Sequence, residues 1–470
     1  MNVQDDLKWT TAIDLAAQIR RRDLSPVEVC QALLDHIDRV DETIHAFVTV
    51  DHEGALKAAN EAEAAIQRGD ALGPLHGVPV SIKDLFPVAG LPTTLGSKFF
   101  EDNITDFDAP AAKRLREAGA VILGKTNTPA FGHKDMSDNL ITEATRNPWK
   151  LDRTAGGSSG GAAAAVAAGM GPIALGSDGA GSIRIPAALC GIYGLKPSFG
   201  RVPYAPNTDY WASRSHIGPM TRTVDDAALM LEVMAGAHPA DPLSLDSDSF
   251  SCSINSQMDL SGLRVAWSPD LGYAPVDSQV RTLTAAAARK FEEMGCHVEE
   301  TRSFWPDPFE WHQVLYEGTL AAKNADRAAE RPDWIDRSMA EAMERGSHYT
   351  LVDYAQALEE RSAFYEQATA FMSNYDLLLT PAMPCGAWQY DGTVQEIDGQ
   401  PTPAMLHRLQ FVYPMNATGW PAATVPCGFT SDGLPVGLQI IAPWRQDELC
   451  LQASAAYERA APWHAIYPES

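Results

Sequence analysis

Residues 152–197 constrain this chain more than any other stretch, because they contain two glycine-rich runs that each hold a serine. Ser158 lies in Gly-Gly-Ser-Ser-Gly-Gly, and Ser182, which ends Ser-Asp-Gly-Ala-Gly-Ser, lies 24 positions after Ser158. Glycine permits tight turns and lets other groups approach the backbone closely. The two runs therefore predict loops that present serine side chains.

Apolar segments and helical patterns alternate on both sides of these loops. Residues 78–82, 120–123 and 172–175 are typical of short buried strands, and residues 160–168 of a helix behind the first serine loop. This alternation predicts a sheet core of the α/β class. The same patterns predict helices over residues 10–22, 25–40, 51–67, 223–235 and 280–295, a helix capped by Asp108 that ends at Gly119, and strands over residues 263–267, 376–381, 416–426 and 433–442.

A serine nucleophile needs a base at neutral pH. The chain has 12 histidines, but none stands in a recognisable catalytic arrangement. Lys83 follows the apolar segment Val-Pro-Val-Ser-Ile, which would carry it into the interior. Burial disfavours the charged ammonium and lowers its pKa, so a buried lysine can act as the base.

By these residues the chain is identified as a member of the amidase signature family, serine hydrolases with a Ser-Ser-Lys triad. The resemblance rests on Lys83 after an apolar strand, on the first serine of the GGSSGG run and on the second serine 24 residues later. It implies that Ser182 attacks an amide carbonyl and forms an acyl-enzyme, while Ser158 and neutral Lys83 relay the proton. It also implies one large α/β domain, whose mixed central β-sheet is covered by helices on both faces.

The resemblance also assigns the residues around the nucleophile. The backbone N–H groups that would stabilise the oxyanion are those of Gly179, Ala180, Gly181 and Ser182. The side chains that would support the site by hydrogen bonds are those of Ser159, Asp178 and Arg184. The family often has glycine where this chain has Ala180, and alanine would cost about 1 kcal/mol if that position required a positive φ.

Length alone would favour about three domains, but the resemblance extends from the N-terminal region nearly to the end. We therefore expect one amidase signature domain over residues 1–470. Its expected parts are N-terminal helices in 1–70, the catalytic core in 71–236, a surface connection in 238–260, a substrate-side helical and aromatic region in 304–371 and C-terminal core strands in 376–470.

The chain carries a formal net charge of −25, from 36 Lys and Arg against 61 Asp and Glu. Such a surface disfavours contact with nucleic acid and anionic membranes. Seven scattered cysteines without a Cys-x-x-Cys pair predict neither a disulfide framework nor a zinc site. The N-terminal residues show no secretory signal, and no apolar run approaches the roughly 18 residues of a membrane span. We expect a soluble, cytoplasmic enzyme without metal or cofactor, and the resemblance allows a homodimer.

Two other functions stay open at this point. The family includes the amidase-like subunit of tRNA-dependent amidotransferases, which usually has glutamine where this chain has Ile185. Residues 119–126 also match the pattern G-x-x-x-x-G-K-T of a phosphate-binding loop. Residues 120–123 are typical of a strand, however, where such a loop should be irregular. We therefore favour the free-standing amide hydrolase.

The shared motifs do not specify the substrate. In this family the pocket is built by the segments between them, which here are residues 133–140, 204–216, 304–316 and 383–390. Their tryptophan and tyrosine content favours an apolar or aryl group in the substrate, although most aromatic residues of 304–371 are expected to be core. Aryl acylamides, linear amides, oligoamides, carbamates and esters all stay candidates.

Overall fold

One mixed β-sheet organises the chain. The structure is a computed structural model that describes residues 7–246, 252, 254, 258–302 and 305–468. Its strands are β1 (Phe47–Val50), β2 (Pro79–Lys83), β3 (Val121–Thr126), β4 (Arg146–Asn147), β5 (Lys150–Thr154), β6 (Ile173–Asp178), β7 (Tyr193–Lys196), β8 (His216–Thr221), β9 (Arg264–Trp267), β10 (His297–Glu300), β11 (Leu377–Pro381), β12 (Glu396–Ile397), β13 (Gln400–Pro401), β14 (Ala422–Phe429) and β15 (Pro435–Ile441). Within the described residues, 11 strands join the sheet in the order β1-β3-β2-β6-β8-β7-β14-β15-β11-β9-β10, and β4–β5 and β12–β13 form two separate pairs.

The middle of the sheet brings the ends of three parallel strands together. β2 pairs in parallel with β3 on one side and with β6 on the other, so that Lys83 at the end of β2 and Asp178 at the end of β6 lie at the same edge. β8 pairs antiparallel with β6 and places His216 opposite Asp178. In open α/β sheets, ligands bind at the carboxyl ends of the strands, so this edge is where a site is expected.

Helices cover both faces of the sheet. They are α1 (Ala12–Arg20), α2 (Pro26–Ile44), α3 (His52–Arg68), α4 (Pro110–Glu117), α5 (Gly160–Ala167), α6 (Arg184–Cys190), α7 (Val224–Met234), α8 (Ser278–Glu293), α9 (Phe309–Glu330), α10 (Arg337–Ser347), α11 (Leu351–Met372), α12 (Tyr413–Thr418) and α13 (Asp447–Ala460). Alternate residues of a strand face opposite sides, and on β6 Ile173 and Leu175 join one apolar cluster whereas Ala174 joins another. The first cluster includes residues of α1, α4, α7, α8 and α13, and the second includes residues of α2, α3, α5 and α6. The predicted α/β domain with a mixed sheet between helical layers is confirmed.

Several helices begin where the sequence predicts. The Ser25 side chain accepts hydrogen bonds from two backbone N–H groups of the first turn of α2, and Pro26 is the first residue of that helix. Asp51 caps α3, and Thr223 caps α7. Each of these side chains satisfies N–H groups that have no partner inside the helix.

Two local predictions are wrong. The cap of α4 is Ala109, not Asp108, because the Asp108 carboxylate accepts from the Ala89 N–H at 2.8 Å and pairs with Arg116 at 2.9 Å. Residues 416–418 were predicted as the start of a strand, but they end α12, and β14 begins only at residue 422. The apolar composition of that segment reflects a buried helical turn, which periodicity cannot distinguish from a strand over so few residues.

The segment 119–126 does not form a phosphate-binding loop. Residues Val121–Thr126 are β3, and Gly119 lies just after α4 with a φ of +90°. Lys125 has no exposed surface, and its Nζ lies 2.8 Å from an Asp84 carboxylate oxygen. The side chain that would hold phosphates is thus already paired inside the protein, and the motif is a chance match.

Three helices, α9 to α11, form most of the region 304–371, whose residue Phe304 lies outside the described residues. The connection 238–260 is described only at 238–246, 252, 254 and 258–260. Within the described ranges, no helix combines the length and apolarity that crossing a bilayer requires. All seven cysteines are among the described residues, and each is a free thiol.

Candidate active site

Lys83 lies at the centre of the site. Its Nζ is 2.7 Å from Ser158 Oγ, 2.9 Å from Ser159 Oγ and 3.0 Å from Ser177 Oγ. Lys83 has no exposed surface, and Ser158 is 1% exposed. The structure therefore brings Lys83 to the two serines of the first loop. It adds Ser177, which sequence analysis missed although it lies at the end of a buried strand beside the second loop.

The surroundings of Lys83 favour its neutral form. Burial lowers its pKa well below 10.5, and the negative charge of Asp178 offsets only part of this effect. Among the described residues, no carboxylate lies within 4 Å of Nζ, whose polar contacts are three hydroxyl groups. An amine without a close counter-charge in such a place loses its proton more easily than one in water.

Ser159 ties the two serine loops together. Its Oγ donates to the carbonyl oxygen of Ser177 at 3.1 Å, and its backbone N–H donates to the carbonyl oxygen of Ser182 at 3.1 Å. The peptide bond between Gly157 and Ser158 is cis. Ser159, to which the family resemblance assigns a supporting role, thus connects the first loop to both β6 and the second loop.

The glycines of the first run allow neighbouring backbone to pack directly against the loop. A Cβ on Gly161 would lie 2.3 Å from the carbonyl oxygen of Ala46 and 2.4 Å from the backbone nitrogen of Asn127. A Cβ on Gly157 would lie 2.6 Å from the backbone nitrogen of Met136. No side chain fits at these distances, so close approach explains the composition of the run.

Asp178 organises the second loop. Its carboxylate accepts from the backbone N–H groups of Gly181 at 2.7 Å and Ile183 at 3.2 Å, and from Arg184 Nε and Nη2 at 3.0 and 2.9 Å. Burial alone would raise the pKa of Asp178, but the charge and hydrogen bonds of Arg184 outweigh burial and hold that pKa well below 3.8. The ionised pair is charge-assisted at both partners and fixes the turn that leads to Ser182.

Two distant residues complete this network. Arg184 Nη2 donates to Asn416 Oδ1 at 2.6 Å, and Arg184 Nη1 donates to Gln439 Oε1 at 2.6 Å. Asn416 Nδ2 in turn donates to Asp178 at 2.8 Å. Sequence analysis missed Asn416 and Gln439, because 232 and 255 residues separate them from Arg184 and no local pattern marks either one.

Ser182 is half-buried and lines a cavity. In the part of the chain that the structure describes, its Oγ forms no hydrogen bond with another side chain. The backbone N–H groups of Gly179, Ala180 and Ser182 have no acceptor among the described residues either, and all three residues line the cavity. The Gly181 N–H differs, because it donates to Asp178.

Ala180 causes no backbone strain. The residue with a positive φ in this turn is Gly181, at +111°, and Ala180 is not in that region. A Cβ on Gly181 would lie 2.4 Å from Val412 Cγ2. The turn therefore requires glycine at position 181 and tolerates the additional methyl group at position 180.

The cavity has a volume of about 460 Å³ and opens over Ser158 and Ser182. Residues 131–135, residues between 204 and 215, and side chains of α9 form much of its wall. This size suits a small molecule. In the described residues, no group of three or more His, Cys, Asp or Glu side chains is arranged to hold a metal ion.

The predicted pocket segments contribute unequally. Segments 133–140 and 204–216 contribute lining residues, whereas 383–390 contributes none of the lining that the structure describes. Met405 and Leu409, outside the predicted segments, also line the cavity. From 304–316, only His312 and Tyr316 are lining residues in the described range. The α9 residues beyond 316 that line the cavity are Thr319, Leu320, Lys323, Asn324 and Arg327, which sequence analysis missed.

The expectation that most aromatic residues of this helical region are core holds only in part, since the buried ones among the described residues are Trp305, Trp311, Phe364 and Phe371. Trp305, Trp311 and Phe364 are at most 6% exposed and pack in one apolar cluster. Tyr316 lines the cavity, and its hydroxyl donates to the carbonyl oxygen of His133. Trp305, Trp311 and Phe364 therefore pack in the core, and Tyr316 is the aromatic residue of this group that lines the cavity.

The chain is similar to known proteins over almost its whole length. A family model described as Amidase matches residues 28–451. An acylamidase from Rhodococcus erythropolis is 42% identical over 463 residues, which cover 98% of this chain and 97% of that protein. A glutamyl-tRNA(Gln) amidotransferase subunit from Moorella thermoacetica is 36% identical over 488 residues, which cover 99% of each chain.

The solved structures agree with the sequence comparison. A bacterial aryl acylamidase, described as belonging to the amidase signature enzymes family, superimposes with a TM-score of 0.88. Its sequence is 31% identical, and the match covers 97% of both chains. The similarity thus extends over the sheet, the two serine loops and the helices that enclose the cavity.

Proposed function

Because this chain belongs to the amidase signature family and is an amide hydrolase, we propose that it cleaves C–N bonds through an acyl-enzyme on Ser182. In this proposal Ser158 relays the proton and Lys83 is the base. The observation that carries it is the 2.7 Å contact between Lys83 Nζ and Ser158 Oγ at a position without exposed surface. A lysine held there by hydroxyl groups alone is suited to accept a proton at neutral pH.

The hydrogen bonds around Lys83 support a neutral amine, which has two N–H groups and one lone pair. Ser159 Oγ accepts from Lys83, because its own proton goes to the carbonyl oxygen of Ser177. When Ser177 Oγ accepts the second N–H, the lone pair is left for the Ser158 hydroxyl. In that arrangement Ser158 can donate its proton directly to Lys83.

Acylation then follows as a balanced proton relay. Lys83 takes the proton of Ser158, Ser158 takes the proton of Ser182, and Ser182 Oγ bonds to the carbonyl carbon of the amide. Collapse of the tetrahedral intermediate breaks the C–N bond, and the proton returns from Lys83 through Ser158 to the leaving amine. Water attacks the resulting ester by the same relay, so that the acid is released and Ser182 is restored.

The relay requires Ser182 Oγ to come within hydrogen-bond distance of Ser158 Oγ. No such bond is present among the described residues, and Ser182 Oγ has no other side-chain partner there that would have to be broken. Catalytic hydrogen bonds often shorten only when substrate is bound. We therefore assign formation of the Ser158–Ser182 contact to the substrate complex.

The oxyanion hole of the proposal consists of the backbone N–H groups of Gly179, Ala180 and Ser182. These groups are free of protein acceptors in the described residues and belong to residues that line the cavity. Gly181 was predicted as a donor too, but its N–H already holds the Asp178 carboxylate, so we give it a positioning role. Removal of one oxyanion donor typically costs about 3–4 kcal/mol in the barrier.

The substrate is a small-molecule amide. The acylamidase and aryl acylamidase relatives support acylated amines, and aryl amides are the first class to test. Esters should be cleaved as well, because an alkoxide leaves more easily than an amine, and carbamates contain the same bond between a carbonyl and nitrogen. The net charge of −25 gives no support to a nucleic-acid partner. A homodimer and a cytoplasmic location stay predictions.

A fluorophosphonate that labels activated serines tests the proposal. We expect one adduct by intact-protein mass, mapped by peptide sequencing to Ser182, and no adduct in Ser182→Ala. A matched control is Ser215→Ala, which removes another serine of the same cavity and should keep the label. Labelling at a different residue would refute the nucleophile. Absence of any label in wild-type protein that is folded by circular dichroism would favour an amidotransferase subunit that needs a partner.

A further inference from the structure

The wall of the cavity carries positive charge that the protein does not neutralise. Arg214, Lys323 and Arg327 line the cavity, and in the described residues none of them lies within 4 Å of a carboxylate. Two further charged groups of the wall are paired, and Lys134 is the first, because it binds Asp138 at 2.8 Å. Asp135 is likewise paired, with Arg408 at 2.9 Å. Three such cations are unexpected in a chain with a net charge of −25.

One carboxylate does face these cations. Asp209 also lines the cavity, and its Oδ1 accepts from the Ala212 N–H at 3.0 Å. Burial lowers the pKa of Lys323, and the charge of Asp209 opposes this lowering while that of Arg214 adds to it. One carboxylate against three cations leaves this wall positive, so that it favours an anionic group on a molecule that enters.

Arg214 is the cation with the most unused hydrogen-bonding capacity. Its side chain is half-buried, and its one contact among the described polar groups joins Nη1 to His312 Nδ1 at 3.4 Å. A guanidinium has five N–H donors, so most of them have no acceptor among the described residues. Burial and the charge of Arg361 lower the pKa of Arg214 to about 10, which still leaves it charged at neutral pH.

His312 holds Arg214 in place without repelling it. The His312 ring stacks on Tyr413, with ring centroids 4.2 Å apart, and has no exposed surface. Burial and the charges of Arg214 and Arg361 lower its pKa well below 6.5, so the ring is neutral and its Nδ1 can accept from Arg214. A neutral acceptor positions the guanidinium but does not neutralise it, so the positive charge stays available to a ligand.

The backbone places Arg214 beside the turn that leads to Ser182. Asp178 is opposite His216 in the pairing of β6 with β8. Past the ends of these strands, a Cβ on Gly179 would lie 3.3 Å from Ser215 Oγ. Arg214 is the next residue, and its carbonyl oxygen accepts from Asn416 Nδ2 at 3.3 Å, the same amide that donates to Asp178. The loop that carries Arg214 thus packs against the turn that leads to Ser182, and both residues line the same cavity.

We infer that this cavity selects amides that carry a carboxylate close to the scissile bond, and that Arg214 binds this carboxylate with support from Lys323. The inference rests on the proposed hydrolase function and names its substrate class. A planar guanidinium pairs with a carboxylate through two parallel hydrogen bonds. The ligand would supply the counter-charge that the wall lacks.

The test compares chromogenic substrates that differ only in charge. Succinyl-4-nitroanilide carries the carboxylate on the acyl side, and 4-oxopentanoyl-4-nitroanilide replaces it by a methyl ketone of nearly equal shape. The acetanilides of 5-amino-2-nitrobenzoate and of 5-amino-2-nitroacetophenone make the same comparison on the amine side. The ratio of kcat/KM between acid and ketone is measured for wild type, for Arg214→Gln and for Arg337→Gln, a matched loss of an arginine that is exposed on α10.

We expect wild type to prefer the acid on one side by about tenfold or more, mainly through KM. Arg214→Gln should lose that preference while it still hydrolyses the ketone, and Arg337→Gln should keep it. Added salt should lower kcat/KM for the acid only. If Arg214→Gln does not fold, Lys323→Gln, at an exposed position, should reduce the preference as well.

Equal rates for acid and ketone on both sides, or a preference that Arg214→Gln retains, would refute the inference while the hydrolase function stands. If none of the four substrates, including the neutral ketones, releases nitroaniline, the hydrolase proposal fails and the inference fails with it. The neutral substrates thus separate the two failures.

Discussion

Lys83 and Lys125 occupy neighbouring parallel strands, and neither has any exposed surface. Their partners differ. Lys83 Nζ contacts three serine hydroxyls, whereas Lys125 Nζ contacts an Asp84 carboxylate oxygen at 2.8 Å and Thr93 Oγ1 at 2.9 Å. At equal burial, the lysine of one site is thus held by neutral hydroxyl groups, and the lysine of the other site is half of an ion pair.

The comparison shows that burial alone does not create a base. Burial lowers the pKa of both lysines, but the adjacent charge of Asp84 works against that lowering at Lys125. At Lys83 only the charge of Asp178 works against it, and the pKa falls well below 10.5. Neutral hydroxyl partners in place of a carboxylate are what make Lys83 suitable for the relay.

The largest effect is expected from Lys83→Met, which keeps the length of the side chain and removes the amine. Loss of the base should reduce kcat for an anilide substrate by at least about 10³-fold. The unfolding free energy should change less than in the corresponding Lys125 variant, because no carboxylate is left unpaired. Steady-state kinetics and urea unfolding measure the two quantities. Turnover within tenfold of wild type would show that another group is the base.

Lys125→Met should have the opposite effects, namely a large loss of unfolding free energy and little loss of turnover. It leaves the buried Asp84 carboxylate without its cation, which typically costs about 3–5 kcal/mol of unfolding free energy. The folded protein should still turn over substrate, because Lys125 has no contact with the serine loops. Urea unfolding measures the loss.

The control for this variant is Lys125→Met combined with Asp84→Asn. Asparagine keeps an oxygen that can accept from the Thr94 N–H and hydroxyl, which contact Asp84 in the wild type, and it removes the charge. Stability should recover in part. A double variant as unstable as Lys125→Met would mean that the lost charge pairing is not the cause.

The surroundings of Lys83 could be predicted well from the sequence, because each motif that forms them is a local pattern or lies at a fixed spacing. The apolar strand before Lys83, the run around Ser158 and the spacing to Ser182 are patterns within a few residues of one another or at a fixed separation. The strand ends then meet because parallel strands present their carboxyl ends at one edge. The sheet itself was predictable for the same reason, from the alternation of strands and helices.

The parts of the site that could not be predicted depend on contacts between residues that are far apart in the sequence. Arg184 reaches Asn416 and Gln439 only after the C-terminal elements fold onto the sheet. The cationic wall likewise combines a loop at Arg214 with a helix at Lys323, and no periodicity links them. Even a local signal can fail for this reason. Aspartate is a residue type that caps helices, but the Asp108 carboxylate is bound by the Ala89 N–H and by Arg116 instead.

A smaller effect is expected in the pH dependence of kcat/KM. This dependence should report on Lys83 and not on Lys125. The relay needs neutral Lys83, so kcat/KM should rise with pH through the lowered pKa of this group and level off well below 10.5. Lys125→Met should show the same rising limb, because Lys125 is outside the relay. A limb centred near 10.5 would mean that the folded protein keeps Lys83 charged, which contradicts the proposal.

The unfolding free energy should also depend on pH through the lowered pKa of Lys83. Between the folded-state pKa of Lys83 and about 10.5, the unfolded chain binds a proton at this lysine that the folded protein does not bind. The unfolding free energy should therefore rise with pH across that window, by an amount that Lys83→Met lacks. Urea unfolding at several pH values compares the two slopes. Because the expected loss of turnover in Lys83→Met leaves too little activity for a full pH–rate profile, this difference in stability is what assigns the kinetic limb to Lys83 rather than to another titrating group.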